Sequence, residues 1–412
     1  MRRSIIARKS MLESSIKLTA VLSVLQDKAR LELLWRNLEK RADASFFQSW
    51  HWIGTWIDCL PVDIVPELLQ VDRGGMVVGL AVLVPRTVYR HGCVRSKGLF
   101  LNRTGDPRLD SLTIEYNGFL AERGAEHEVA QAGMEVLLAG RKDWDELFLD
   151  GIHEPEVFGG FSTEKTQLHT SKLDACRYVD LAALRGNGQE YVAALGQSTR
   201  YNIRRSLREY EKRGPLAIDE AGDLTQARTY FKGLIRLHQH YWEQKGEPGA
   251  FSNLFLTTFH EKLVSRGFSE GVVQLLRVTA GAAEVGYLYN YVYRGRVYNY
   301  QSGFDYAGGT LHERPGLVCH ALAIAYNLRK GHAVYDFMAG DSDYKRSLST
   351  ASQTLAWQVM QRRRLKFRIE DALRRVRHRF NGAWRRCMKT RSKALHKSLG
   401  ATRGTDFVFA CA

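Results

Sequence analysis

Asp305 closes the run Tyr300-Gln301-Ser302-Gly303-Phe304-Asp305, and Asp336 lies in a second apolar stretch, Tyr335 to Met338. A carboxylate at a strand end can orient an amine or hydroxyl nucleophile or accept its proton. Two carboxylates converging from neighbouring strands would split their pKa values and leave one of them basic. The competing reading is local: Asp305 caps the following turn and Asp336 is a hydrogen-bonded core acid. Tyr344-Lys345 follows the second stretch. A lysine there either stabilises an oxyanion, holds a phosphate, or is a solvated surface side chain. Tyr344 either protonates a leaving group or packs.

Anion chemistry has two further candidates. Gly308-Gly309 and Pro315-Gly316 precede a helical pattern that continues through Leu317. Unpaired backbone N–H groups at such a helix start suit a pyrophosphate, although a plain Pro-Gly turn gives the same sequence. Arg200, Arg204 and Arg208 fall on one helix face and could hold phosphates. Glu209 and Glu211 support the alternative, a solvated helix with charge pairs. His238 and Trp242 are one turn apart, a spacing that also fits a buried histidine against an aromatic ring. No His, Cys or carboxylate set has metal-ligand spacing, and no GxSxG elbow or Walker loop occurs.

The elements that must position these residues follow from periodicity. Residues 11–40 show helical spacing, and an aromatic cluster follows at Phe46, Phe47, Trp50, Trp52 and Trp56. The pattern from Glu67 to Asn102 turns to strands, with a hairpin of Leu68 to Val71 and Met76 to Val84 around Arg73-Gly74-Gly75. A helix over 126–138 and a short strand over 144–149 close this half. The second half repeats the plan. Helices are expected over 189–195, 200–212, 224–245 and 317–329, a three-strand meander over 272–304, and a closing strand over 333–338. Such a repeat predicts an α/β (α+β) chain of two related domains. Their bounds are 35–175 and 176–360, after an N-terminal helical segment, 1–34, and before a basic tail, 361–412.

The chain of 412 residues carries a formal charge of +16. Residues 361–400 hold 15 Lys and Arg against Glu370 and Asp371, so +13 of that excess belongs to the tail. The high net charge therefore describes the tail more than the body. RNA, an anionic membrane surface or an acidic polymer could each attract it, and Phe367, Phe380 and Trp384 permit a membrane-surface helix. Solvation by counterions is the alternative. Six scattered cysteines without CxxC spacing fit free thiols in a reducing compartment. The apolar stretch Ile16 to Leu25 is interrupted by Lys17, Thr19 and Ser23, and Met76 to Pro85 is about half the length of a membrane span. A cytoplasmic protein is expected, with peripheral contact at the inner membrane as a variant.

The strand–strand–strand–loop–helix–strand order of 272–338 resembles the GNAT acyltransferase core. Shorter stretches are similar to the CelD-type proteins associated with bacterial cellulose and exopolysaccharide synthesis. They are Ser198-Thr199-Arg200-Tyr201-Asn202-Ile203-Arg204-Arg205, Leu237-His238 with Trp242, Tyr300 to Asp305, Pro315-Gly316, and Tyr335 to Asp341 leading to Tyr344-Lys345. The first half matches more loosely, through Phe47-Gln48-Ser49 and Gly79-Leu80-Ala81. The tandem plan is also similar to the Fem-type aminoacyltransferases of peptidoglycan synthesis. The resemblance covers residues 35–370 and implies two GNAT-like domains in tandem, each a mixed, mostly antiparallel sheet flanked by helices. It implies acetyl-CoA or another acyl-CoA as co-substrate, no permanently bound cofactor, and a sugar or polysaccharide precursor as acceptor. Gly308, Gly309, Pro315, Gly316 and Leu317 would hold the donor, with only one glycine of the family's usual pair present at 313–318. Arg200, Arg204, His238, Trp242, Tyr300 and Ser302 would face the acceptor, and Asp305, Asp336, Tyr344 and Lys345 would carry the chemistry. An aminoacyl-tRNA donor, or an inactive scaffold of a secretion complex, are the rival expectations.

Overall fold

Leu18, Ala20 and Leu22 are half-buried while Thr19, Val21 and Ser23 between them are exposed, and this alternation makes Leu18–Val24 a strand, β1. The helical periodicity over 11–40 is thus corrected: the helix, α1, is Lys28–Arg41, started by the Asp27 carboxylate accepting from the Arg30 amide at 2.9 Å. The computed structural model describes Lys17–Arg375 except Gly308 and Leu311. The rest of the first half comprises α2 (Trp50–Ile57), β2 (Glu67–Arg73), β3 (Met76–Arg90), β4 (Val94–Leu101), β5 (Leu120–Ala121), α3 (Glu126–Glu135) and β6 (Glu146–Ile152). Next come β7 (Thr166–Asp180), α4 (Leu181–Gly186), α5 (Tyr191–Ala194), α6 (Gln197–Glu211), β8 (Leu216–Glu220), α7 (Leu224–Gln244) and α8 (Leu254–Gly267). The chain continues through β9 (Val273–Ala280), β10 (Ala283–Tyr293), β11 (Arg296–Phe304), α9 (Pro315–Arg329), β12 (Val334–Ala339), α10 (Asp343–Leu348) and β13 (Ala351–Arg362).

One continuous sheet runs β1-β2-β3-β4-β6-β13-β7-β12-β11-β10-β9-β8, with β5 beside β3. Each half contributes a mostly antiparallel sheet with one parallel pair, β4 with β6 and β11 with β12. This is the mixed α/β architecture that the repeated plan predicts. The junction was not predictable from that plan, because a strand from the end of the second half crosses to the first half's sheet. β7 follows the first half's β6 in sequence yet pairs with β12, while β13, the last strand, pairs with β6. The second half thereby completes the first half's sheet.

Helices cover both faces. On one, α7 and α8 and the first half's aromatic cluster bury a common core with β9–β11. Phe46 stacks on Tyr291 at 4.1 Å between ring centroids, and Trp52 meets Phe259 edge-on at 4.8 Å. On the other face, α5, α6 and α9 pack over β9, β10 and β12. A separate small unit is made by Tyr89–Arg95 with the segment from Arg362 on, where Arg90 pairs with Glu370 at 2.9 Å. Residues 365–375 are helical there, and the remainder of the basic tail, from 376, lies outside the described residues.

Candidate functional site

β11 and β12 pair at only three positions, Arg296 with Val334, Val297 with Tyr335, and Tyr298 with Asp336. Beyond them the two strands part. Two irregularities mark the parting. On β11, Asn299 faces Asn290 and Gln301 faces Tyr289 of β10, so Tyr300 is an extra, bulged residue. On β12 the register against β7 shifts between Asp336 and Ala339, and Met338 takes φ 63°. Bulges bend a strand and re-aim its side chains, and a non-glycine residue at positive φ persists only where its surroundings hold it. Here Asp336 holds it. Its carboxylate accepts from the Met338 amide at 2.7 Å, from Arg296 at 2.6 Å and from the Tyr116 hydroxyl, and the side chain is fully buried.

A cavity of about 910 Å³ fills the gap between the strands. Tyr300, Ser302 and Phe304 of β11 form one wall and Phe337, Met338 and Ala339 of β12 the other. Pro315, Gly316 and Leu317, the first turn of α9, stand at its edge. That turn is set by Pro315 at the first helical position and by the buried Ser206 hydroxyl, which accepts from the Arg314 amide at 2.9 Å. α7 supplies His238 and Trp242. It can lie close to β11 because residue 303 is glycine; a Cβ there would come within 2.3 Å of the Leu234 carbonyl. Trp242 Nε1 donates to His238 Nε2 at 3.1 Å, and burial lowers the histidine pKa, so this ring is neutral at pH 7. α10 supplies Tyr344 and Lys345. Lys345 Nζ donates to the carbonyls of Met338 at 3.2 Å and Ala339 at 2.6 Å, and burial lowers its pKa. The structure therefore brings together His238, Trp242, Tyr300, Ser302, Pro315, Gly316, Leu317, Tyr344 and Lys345 from widely separated positions.

The other expected residues lie elsewhere. Asp305 does not line the cavity, and its carboxylate accepts from the Ala307 amide at 2.9 Å, the local capping arrangement. Asp336 does not line it either and is committed to Arg296, Tyr116 and Met338. Gly309 is exposed and off the wall, and Gly308 falls outside the described residues. On α6, Arg204 is exposed and Arg200 donates to the Ala193 carbonyl at 3.0 Å, both away from the cavity.

Three wall residues had no sequence signal. Glu115 comes from the loop before β5, its side chain buried at 3 % exposure. Its Oε2 accepts from the Ala339 amide at 2.7 Å, and burial pushes its pKa up to about 7, with Asp336 adding to the rise. His320 is 3 % exposed, stacks on Tyr344 and has an unpartnered Nδ1; burial pushes its pKa down to about 3. Tyr306 rests 4.9 Å from Tyr241, and these two with Trp242 form an aromatic flank. An isolated Glu, His or Tyr in a loop or helix carries no periodic pattern, which is why none was legible. Among the described residues no group of three or more His, Cys, Asp or Glu could hold a metal ion, and no helix is long and apolar enough to cross a membrane.

Residues 197–346 match the family described as acetyltransferase (GNAT) domain. No curated protein sequence matches the chain. Among solved structures, FemX is similar in fold, with a TM-score of 0.51 at 10 % identity over 83 % of this chain and 96 % of that one. L-PGS from Bacillus licheniformis superposes with a TM-score of 0.49 at 11 % identity over 83 % and 96 %. The C-terminal domain of a putative lysylphosphatidylglycerol synthetase from Agrobacterium fabrum gives 0.49 at 9 % over 81 % and 93 %. With the parted parallel strands, the cavity between them and the matched segment, residues 197–346 carry an acyltransferase domain of the GNAT kind.

Proposed function

We propose that the chain moves an acyl group, acetyl in the simplest case, from acyl-CoA to an amine or hydroxyl of a sugar or polysaccharide precursor, as its likeness to CelD-type proteins implies. The observation that carries this reading is the 910 Å³ cavity opening where β11 and β12 part, with Lys345 in its wall. A thioester between the strands would have its carbonyl near an ammonium group, which stabilises the oxyanion that forms on attack. Amides of the first turn of α9, at Gly316 and Leu317, would receive the donor's pyrophosphate. Tyr344 is the candidate proton donor to the leaving thiolate. On the acceptor side, His238, Trp242, Tyr300 and Ser302 combine polar atoms with the aromatic flank of Tyr241 and Tyr306, a surface on which a sugar ring can stack. The second half, 176–360, is the catalytic one in this reading.

Acetyl-CoA should raise the melting temperature, since a ligand that binds only the folded state stabilises it by RT ln(1 + [L]/Kd). Thiol release from acetyl-CoA with glucosamine as acceptor should fall at least about 100-fold in Lys345→Met. No thermal shift at millimolar acetyl-CoA would sink the donor assignment. A second reading keeps the cavity and exchanges the donor for aminoacyl-tRNA; it is favoured by the exposed Arg204 and Arg208 on α6. Ribonuclease sensitivity of the transfer would select it.

A further inference from the structure

The two halves treat the same architectural position in opposite ways. β4 and β6 also pair at three positions, Gly98 with Glu146, Leu99 with Leu147, and Phe100 with Phe148. Where the second half then opens into a cavity, the first is closed by its own chain. Asn117 Nδ2 donates to the carbonyls of Leu101 at 3.1 Å and Asp150 at 3.0 Å, and its backbone amide donates to the Gly151 carbonyl at 2.9 Å. Gly151 has φ 69°, and a Cβ on it would lie 2.6 Å from the Ile114 carbonyl, so the closing segment presses directly on β6. A donor cannot enter between these strands. Two residues before Asn117, the same segment sends Glu115 into the second half's cavity.

We infer that Glu115 is the base for the acyl transfer proposed above, so that the first half serves the second half's site by supplying a catalytic carboxylate. The inference rests on that reading of the cavity. Oε2 is fixed by the Ala339 amide at 2.7 Å and lies 3.8 Å from Cys176 Sγ. Oε1 has no hydrogen-bond partner among the described residues, and the side chain lines the cavity. Lys345 holds the carbonyl of the same Ala339 at 2.6 Å, so base and cation flank one residue. Burial, which pushes the carboxyl up to about 7, makes it a far better proton acceptor than an exposed glutamate while leaving it largely ionised above neutrality. As the acceptor nitrogen or oxygen bonds to the acyl carbon and the C–S bond breaks, the acceptor's proton passes to Glu115 Oε1. Tyr344 gives its proton to the departing thiolate, which leaves as the thiol, and regains one through solvent as Glu115 releases the acceptor's proton and returns to the carboxylate.

The test uses the full chain, acetyl-CoA and glucosamine, with released thiol followed from pH 5.5 to 9. Glu115→Gln keeps an acceptor for the Ala339 amide, so its fold is retained, which its melting curve verifies. The expected result is a fall in kcat of about 100- to 10,000-fold, loss of the acid limb of the pH profile, and a nearly unchanged KM for acetyl-CoA. Glu115→Asp should recover part of the rate. Activity of Glu115→Gln within about twofold of wild type, with the same pH profile, overturns the base assignment alone. Absence of thiol release by the wild-type chain overturns the underlying reading of acceptor and donor, and the inference with it.

Discussion

Burying Glu115 should cost the protein stability at the pH where the carboxylate is most useful. Its carboxyl titrates at about 7 in the folded chain, against an ordinary value of 4.5. The folded state therefore holds that proton more tightly than the unfolded state does. The corresponding stability is fully present below pH 4.5 and is lost as the pH rises through 7. At about 1.36 kcal/mol per pH unit, the interval amounts to roughly 3 kcal/mol. A glutamine side chain cannot ionise, so Glu115→Gln should gain on the wild type by about 3 kcal/mol between pH 4.5 and pH 8. Urea titrations of both proteins at half-unit pH steps measure this, and every other titrating group cancels in the difference. Two curves that stay parallel within about 0.5 kcal/mol would show an ordinary carboxyl and refute the burial argument. Activity should run the other way, rising with pH over the same interval as the base ionises.

Two further outcomes follow from the packing around the site. Asn117→Ala removes the buried bonds to Leu101 and Asp150, the buried one received from Asn102 Nδ2 at 2.8 Å, and the half-buried one received from the Gly118 amide at 2.9 Å. At about 1 kcal/mol each, a loss of roughly 4 kcal/mol in urea denaturation is expected, together with a lower kcat at unchanged KM for acetyl-CoA because the segment carrying Glu115 loosens. Gly303→Ala forces α7 off β11 at the Leu234 carbonyl and should destabilise the chain by about 1–3 kcal/mol. Because His238 and Trp242 move with that helix, the KM for the acceptor should rise about tenfold or more in steady-state assays, the donor KM much less.

Much of the second half was legible because its elements obey simple periods. The meander over 272–304 and the helices over 200–212 and 224–245 appear within a few residues of their expected limits. Their lining residues converge because β11, α9 and α10 point the quoted motifs at one gap. Asp305 and Asp336 show where local reading stops. One follows a strand end and the other lies within a strand, yet backbone amides and Arg296 claim them, and no sequence pattern records which partner a carboxylate finds. β1 was obscured by length, since a seven-residue alternation embedded in a leucine-rich stretch also satisfies helical spacing. Glu115, on a loop, depends on pairings more than 200 residues apart, which periodicity cannot encode.

The pairing of β13 with β6 bears on synthesis. As the chain leaves the ribosome, β6 emerges about 200 residues before β13, the neighbour that covers its edge. Until residues 351–362 appear, the nascent first half presents an unpaired strand edge to its surroundings. A ribosome that stalls or terminates early would release a chain with that edge bare, a product suited to chaperone capture or aggregation. Completion of the first half is thus a signal that the whole second half has already been translated.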